Sequence, residues 1–453
     1  MSAPSASKAR TRIRWLMLAM IFIVTVFNYV DRATLSIAAP SMRRELGFDA
    51  LTMGIAFSAF GWAYTAMQIP GGLILDRFGA RVVLGLSLIT WSVLTYLQGY
   101  VHLLAGSAFA VLFALRFLMG VAESPAFPCN SRLTVMWFPS QERGLATSVF
   151  QLAQYFALAV FTPVMTFTVS RWGWHYVFYT TGAVGVLLGL VWLRMVREPA
   201  RHPRVNAAEL AYISAGGGLP TMGDGPAPFS WRQVAAISAN RMMAGIYIGQ
   251  FCLTSITWFF LTWFPTYLIE AKGMSILKVG LVASIPAVAG CLGGLIGGAW
   301  SDWMLKRGYS LTMARKVPII VGLTLSSCIV VANYVQSTAI VVLVMSVAFF
   351  AKGIGNLGWC IVGDVSPKNA MGISGGIFNF CGNLASIVTP LAIGWMIKET
   401  GSFAAALVYV GSLSLLGAFA YLFVVGRLER LPSDAATTDA AVHSAPSPVR
   451  QPS

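Results

Sequence analysis

The chain has 453 residues, of which 57% are hydrophobic and only 10% charged, and its formal net charge is +15. A water-soluble domain carries about a quarter charged residues, so this composition excludes an ordinary soluble enzyme and points to the lipid bilayer as surroundings. In a soluble chain the positive excess would suggest nucleic acid; here it fits the basic cytoplasmic loops of a membrane protein, and no nucleic-acid partner is expected.

Taken in order, apolar runs of about 18 to 25 residues, the length that crosses a bilayer core, recur along the whole chain. They predict an all-α integral membrane fold with twelve transmembrane helices. The first six spans are expected over 15–39, 51–75, 82–101, 107–130, 144–169 and 175–196. The second six are expected over 241–268, 278–300, 317–335, 338–361, 371–397 and 403–426. The first run is too long for a signal-peptide core and lacks a small-residue cleavage site, so it reads as a retained helix. The resulting organisation is an N-tail over 1–14, a bundle over 15–196, a polar linker over 197–240, a bundle over 241–426 and a tail over 427–453. That tail is rich in Ala, Ser, Pro and Thr and is expected to be disordered. The 44 glycines suit close helix packing. None of the six cysteines forms a CxxC pair or a cluster with histidine, so they read as packing residues and no metal site is expected.

With the N-terminus inside, 22 of the 31 Lys and Arg residues fall in cytoplasmic segments. Six (Arg43, Arg44, Arg171, Lys272, Lys278 and Lys398) fall outside, and Arg32, Arg116 and Lys352 lie within spans. Both termini are therefore expected in the cytoplasm. The two halves also repeat each other. Gly72 to Asp76 is matched by Gly298 to Asp302. Phe138-Pro139 with Gly144, Phe150 and Gln151 is matched by Ser366-Pro367 with Gly372, Phe378 and Asn379. Thr162-Pro163 is matched by Thr389-Pro390. The near-constant offset implies two pseudo-symmetric six-helix bundles with a binding site between them.

The run Gly72-Leu73-Ile74-Leu75-Asp76-Arg77-Phe78-Gly79-Ala80-Arg81, with its degenerate second copy, resembles the loop signature of the major facilitator superfamily. Asn28 to Arg32, Phe57 to Tyr64, Arg116-Phe117 with Glu123 to Pro128, Trp137 to Pro139 with Glu142 to Gly144, and Gly375 to Asn379 resemble the anion:cation symporter branch. Leu97 to Val101, Ala153 to Phe156 and Gly216 to Gly218 look most like bacterial glucarate/galactarate (hexarate) permeases, with galactonate permeases close behind. The resemblance implies a monomeric symporter of the inner membrane that takes up a sugar-acid anion with protons. It needs no cofactor beyond the proton gradient. It marks Asp31 and Glu123 as the proton-coupling pair and Arg32 and Arg116 as substrate or switch cations. Of the two acids Glu123 is preferred, because burial of a carboxylate favours its protonated form. It also assigns charged loop residues, among them Asp76, Arg77, Arg81, Arg143 and Asp302, to gating, where topology and solvation are the plainer explanation.

The residues support this independently. A charge at mid-bilayer costs about 2.5–3.5 kcal/mol on insertion scales, so each needs a partner, a wet cavity or a function. Asp31 and Arg32 lie about fifteen residues into the first span. Arg116 and Glu123, two helical turns apart, share one face of the fourth. Static ion pairs that lock helices are the alternative. A carboxylate beside an arginine occupies it, and protonation frees the guanidinium for an anion. Lys352 either neutralises the second carboxylate of a dianion or pairs with backbone or a neighbouring helix, and the glycines around it permit unwinding. Tyr29, Tyr64, Gln154, Gln250, Asn356, Trp359 and Asn379, and more weakly Gln151, are expected to offer hydrogen bonds to substrate hydroxyls, with interhelical packing the alternative for each. No Walker or HExxH motif is present, which disfavours ATP-driven transport and a metal-dependent intramembrane enzyme. Remaining alternatives are a galactonate or other hexonate or hexuronate symporter, a channel or sensor, and a drug/proton exporter on the same fold.

Overall fold

The computed structural model describes residues 10–219, 231–367 and 371–432; most of the expected C-terminal tail and Lys368 lie outside the described residues. No strand occurs among the described residues. The helices are α1 (Ile13–Leu46), α2 (Ala50–Ala66), α3 (Gln68–Gln98), α4 (Ala108–Glu123), α5 (Ala126–Trp137), α6 (Ser140–Trp172) and α7 (Trp174–Met195). In the linker lie α8 (Ala207–Ala215) and α9 (Trp231–Ala239). There follow α10 (Arg241–Thr262), α11 (Phe264–Thr266), α12 (Ile276–Lys306), α13 (Leu311–Ser326), α14 (Thr338–Ile354), α15 (Gly358–Val365), α16 (Met371–Thr400) and α17 (Ala404–Phe419).

Eleven helical segments among the described residues are long and apolar enough to cross a membrane. The expected second span is absent from that set because its path is broken at Met67, between α2 and α3. Pro70 accounts for the break: it has no N–H for the Ala66 carbonyl and its ring presses on that group. At the other end of the same path Gly79 adopts φ 76° and ψ 154°, so the chain turns there inside α3 and begins the third span. The fourth and tenth spans are broken too, at Ser124-Pro125 between α4 and α5 and over Gly355–Leu357 between α14 and α15.

Helices of the two sequence halves meet in two equivalent places, α2 on α16 and α6 on α12. A β-carbon at Gly54 would stand 2.7 Å from the Pro390 oxygen, and one at Gly280 would overlap the Thr166 hydroxyl and stand 3.2 Å from Pro163 Cα. Gly54 and Gly280 occupy matching repeat positions, as do Pro390 and Pro163, so one contact is made twice. Toward the linker end, β-carbons at Gly72, Gly144, Gly298 and Gly372 would meet nothing within 4 Å. The halves are thus shut at the end remote from the linker and apart at the linker end. Two ion pairs tie the shut end across the halves: Arg43 to Glu270 at 2.7 Å and Lys398 to Asp49 at 3.1 Å.

The linker is docked on the first half. Glu209 is fully buried and accepts from the Thr11 hydroxyl at 2.5 Å, from the Ile13 and Arg14 amides at 3.1 and 3.2 Å, and from Arg14 Nη1 at 3.3 Å. It therefore satisfies the free amides that open α1 and places negative charge at that helix terminus. Arg14 also bonds Glu142 at 2.9 Å, and the Tyr212 hydroxyl donates to Glu142 at 2.8 Å. The Ser140 amide donates to the Gly216 carbonyl and the Leu219 amide to the Val135 carbonyl, which lay the linker along α5 and α6.

Glu209→Ala leaves these donors without an acceptor and is expected to cost about 2 kcal/mol, read as a lower apparent Tm of the detergent-purified protein. The Asp49 carboxyl is held down to about 2, first by hydrogen bonds from the Thr52 hydroxyl and amide, against slight burial, with Lys398 adding to them. A carboxyl depressed on folding contributes above its ordinary value and loses that contribution as pH falls through its folded value. The Asp49–Lys398 tie is therefore expected to hold from about pH 8 to pH 5 and to weaken only below about pH 4. Thiol labelling of Ala50→Cys checks this; faster labelling already at pH 5 would contradict it.

Candidate functional site

Five helical segments build the site. Asp31 and Arg32 are neighbours on α1, Phe60 and Tyr64 lie one turn apart on α2, and Trp91 comes from the third span. Glu123 is the last residue of α4, with Arg116 two turns before it. Pro125 and Pro128 prevent α4 from running on unbroken, so Glu123 sits where the helix gives way rather than in its middle.

All four expected charges are buried, none more than 5% exposed. Arg32 donates from Nε to Glu123 Oε1, and its Nη2 lies against the same oxygen. Its guanidinium carbon lies 5.1 Å from the Tyr29 ring centre and 4.9 Å from those of Phe60 and Tyr64. The Arg116 guanidinium lies 5.5 Å from the centre of the same Phe60 ring, so both arginines share one phenyl group. Such faces attract a cation by about 0.5–2 kcal/mol each where water is excluded. Asp31 is not joined to an arginine: its Oδ2 accepts from the Trp91 indole at 3.0 Å. Arg116 has no carboxylate within ion-pair distance among the described residues, and its one hydrogen bond goes to Met119 sulfur at 3.6 Å.

The cluster is incompletely satisfied. Asp31 Oδ1 and Arg116 Nε are buried without a hydrogen-bond partner. Buried polar atoms without partners are costly, and two in one place mark a site built to take up something more. Asp31 interacts electrostatically with both Glu123 and Arg116, and Arg116 with Arg32, so a charge change on one is felt by all four. Beyond this layer, toward the shut end, a small chamber is lined by Ala33, Ile37, Leu158, Phe260 and Phe349, with Ser36 and Thr162 as its polar members.

The Major Facilitator Superfamily model matches residues 21–350. The chain belongs to that superfamily. It is 51% identical over 427 residues, 93% of this chain and 94% of the relative, to a probable galactarate/D-glucarate transporter of Bacillus subtilis. It is 39% identical over 438 residues, 95% of this chain and 100% of the relative, to a D-galactonate transporter of Escherichia coli. The crystal structure of a D-xylose-proton symporter superposes with a TM-score of 0.67 at 18% identity, covering 92% of this chain and 98% of that one, which bears on the fold alone. The protein is a multi-pass transporter of the inner membrane and not an enzyme.

The other expected site residues are spread along the gap between the halves. Tyr64 is buried and Tyr29 half-buried against Arg32. Gln151, Gln154, Gln250, Asn356 and Asn379 are half-buried, and Trp359 is 45% exposed beside Phe378. Asn379 donates to Gln68 across the halves at 3.0 Å, and Gln250 bonds Thr254 on its own helix at 3.2 Å. The loop residues make contacts within their own half here. Arg81 donates to the Leu193 carbonyl, Arg143 to the Phe138 and Gly217 carbonyls, Arg77 stacks on Phe78, and Asp302 lies 3.7 Å from Arg315. The Asp76 side chain lies outside the described residues. Sequence reasoning passed over Phe60 and Trp91; the Trp91 indole, a polar handle in an apolar span, was the one available signal.

Glu123→Ala strands Arg32 in the bilayer interior and is expected to cost about 3–5 kcal/mol in thermal unfolding of the purified protein. Arg116→Ala removes a cation that has no carboxylate partner and is expected to cost less than half as much. Equal losses would show that the Arg32–Glu123 pair holds no special place.

Proposed function

We propose that this transporter takes up a sugar-acid anion together with protons, with glucarate or galactarate as the substrate. The observation that carries the reading is the buried Arg32–Glu123 pair beside an unpaired Arg116. While Glu123 is ionised it occupies Arg32. A proton on Glu123 cancels that attraction, and the guanidinium turns to a substrate carboxylate, which it grips through paired N–H donors. Asp31, held only by Trp91, is the second proton carrier, and Arg116 is the cation its charge steadies. Tyr29, Tyr64, Gln154, Gln250, Asn356, Trp359 and Asn379 line the path and meet the hydroxyl groups of an open-chain sugar acid. Relatives named for galactarate, glucarate and galactonate support the substrate class.

In this reading the linker end faces the cytoplasm, one chain is the working unit, and the open gap is the route of release. Uptake requires the halves to rock until the far end parts and the linker end closes, with Asp76, Arg77, Arg81, Arg143 and Asp302 exchanging partners as that end shuts. Closing over the substrate with the acids ionised would return a carboxylate to Arg32 and expel the anion, which makes transport wait on the proton.

Proteoliposomes holding the purified protein are expected to take up labelled glucarate and galactarate, faster when the outside is more acid. Glu123→Gln and Asp31→Asn are expected to lose that stimulation. No uptake of glucarate, galactarate or galactonate would remove the substrate assignment, and full proton-driven uptake by either variant would remove the coupling role of that acid.

A further inference from the structure

The proposed mechanism uses two carboxylates and two arginines, all in the first half, and leaves out the buried charge of the second half. Lys352 sits on α14 in the second half, 2% exposed, two residues before that helix breaks. Among the described residues no carboxylate lies within ion-pair distance of it. Its ammonium donates one hydrogen bond, 3.2 Å to the hydroxyl of Tyr155 on α6 in the opposite half. It also lies 5.4 Å from the Tyr155 ring centre and 5.6 Å from that of Phe349. A buried ammonium with one neutral partner and two aromatic walls is under-neutralised, because it has three donors and needs a counter-charge.

The position of Tyr155 shows where that counter-charge would come from. Tyr155 lies on α6, which packs against α1, the helix that carries Tyr29 and Arg32. Lys352 therefore reaches across the halves to a helix packed on the one that holds Arg32, which sets a cation on each side of the gap. Arg32 and Arg116 face Asp31 and Glu123 within the first half, whereas among the described residues Lys352 faces no carboxylate, which leaves its charge for a group on the guest.

We propose that Lys352, parked on Tyr155 while the site is empty, binds the second carboxylate of the substrate and makes this transporter select sugar diacids over sugar monoacids. This rests on the sugar-acid reading above and adds a specificity to it. One end of the diacid engages Arg32 and the other draws Lys352 away from Tyr155. A monoacid, which ends in a neutral hydroxyl group at that position, leaves the ammonium without a counter-charge. Tyr155 is a positioning residue: it holds the ammonium toward the first half so that little reorganisation is needed when the diacid enters.

The test compares apparent affinities for glucarate, a diacid, and galactonate, a monoacid, by uptake and cross-competition in proteoliposomes of the full chain. The wild type is expected to favour glucarate. Lys352→Gln is expected to lose about tenfold or more in its glucarate-to-galactonate preference, and Lys352→Arg to keep most of it. Tyr155→Phe, which leaves the charge in place, is expected to reduce the preference by a smaller factor, and it carries the test alone if Lys352→Gln does not fold. An unchanged preference in whichever of Lys352→Gln and Tyr155→Phe folds, or equal loss for both acids, would overturn the assignment of Lys352. A wild type that transports neither acid would instead overturn the sugar-acid reading, and this inference with it.

Discussion

The Arg32–Glu123 pair is the constraint around which the rest of the molecule is arranged. Two opposite charges removed from water recover the cost of desolvation only if they stay together, and here they join α1 to the end of α4. That requirement explains the company they keep. Tyr29, Phe60 and Tyr64 offer ring faces to the guanidinium, and α4 gives way immediately after Glu123, at Ser124-Pro125. A pair of this kind has two states that differ by one proton. In the low dielectric of the interior that difference is large enough to decide what else the arginine can bind.

The closure between the halves is built on a different principle. At the shut end the contact is steric, with Gly54 and Gly280 receiving the backbones or side chains of α16 and α6, and Pro390 and Pro163 at matching places. The ion pairs Arg43–Glu270 and Lys398–Asp49 lie at its rim, where solvent weakens them. The buried charges thus sit in the middle of the molecule, and the far-end contact is steric with partly exposed ion pairs at its rim.

Much of this was legible in the sequence, and the limit has a physical reason. Asp31, Arg32, Arg116 and Glu123 stand out because charge is rare in apolar runs, and the matching Thr-Pro pairs and loop motifs reveal the two-fold repeat. Hydropathy says that a segment is a helix but not how it is rotated, so it does not tell which carboxylate meets which arginine. The structure gives Glu123 to Arg32 and Asp31 to Trp91, where charge alone would have allowed Asp31 with Arg116 equally well. The break at Met67 was missed because the hydropathy of the run continues through Pro70. The buried Glu209 was missed because an acid in a polar linker looks solvated until the chain folds back on Thr11 and Arg14.

The docking of the linker bears on how the halves travel. From Asn206 to Leu219 it belongs mechanically to the first half, and α9 packs on α10 and α16 and so belongs to the second. The two ends of the linker are thus anchored on opposite halves. When the halves move, the docked stretch travels with the first and α9 travels with the second, so each half carries its own part of the connection as cargo.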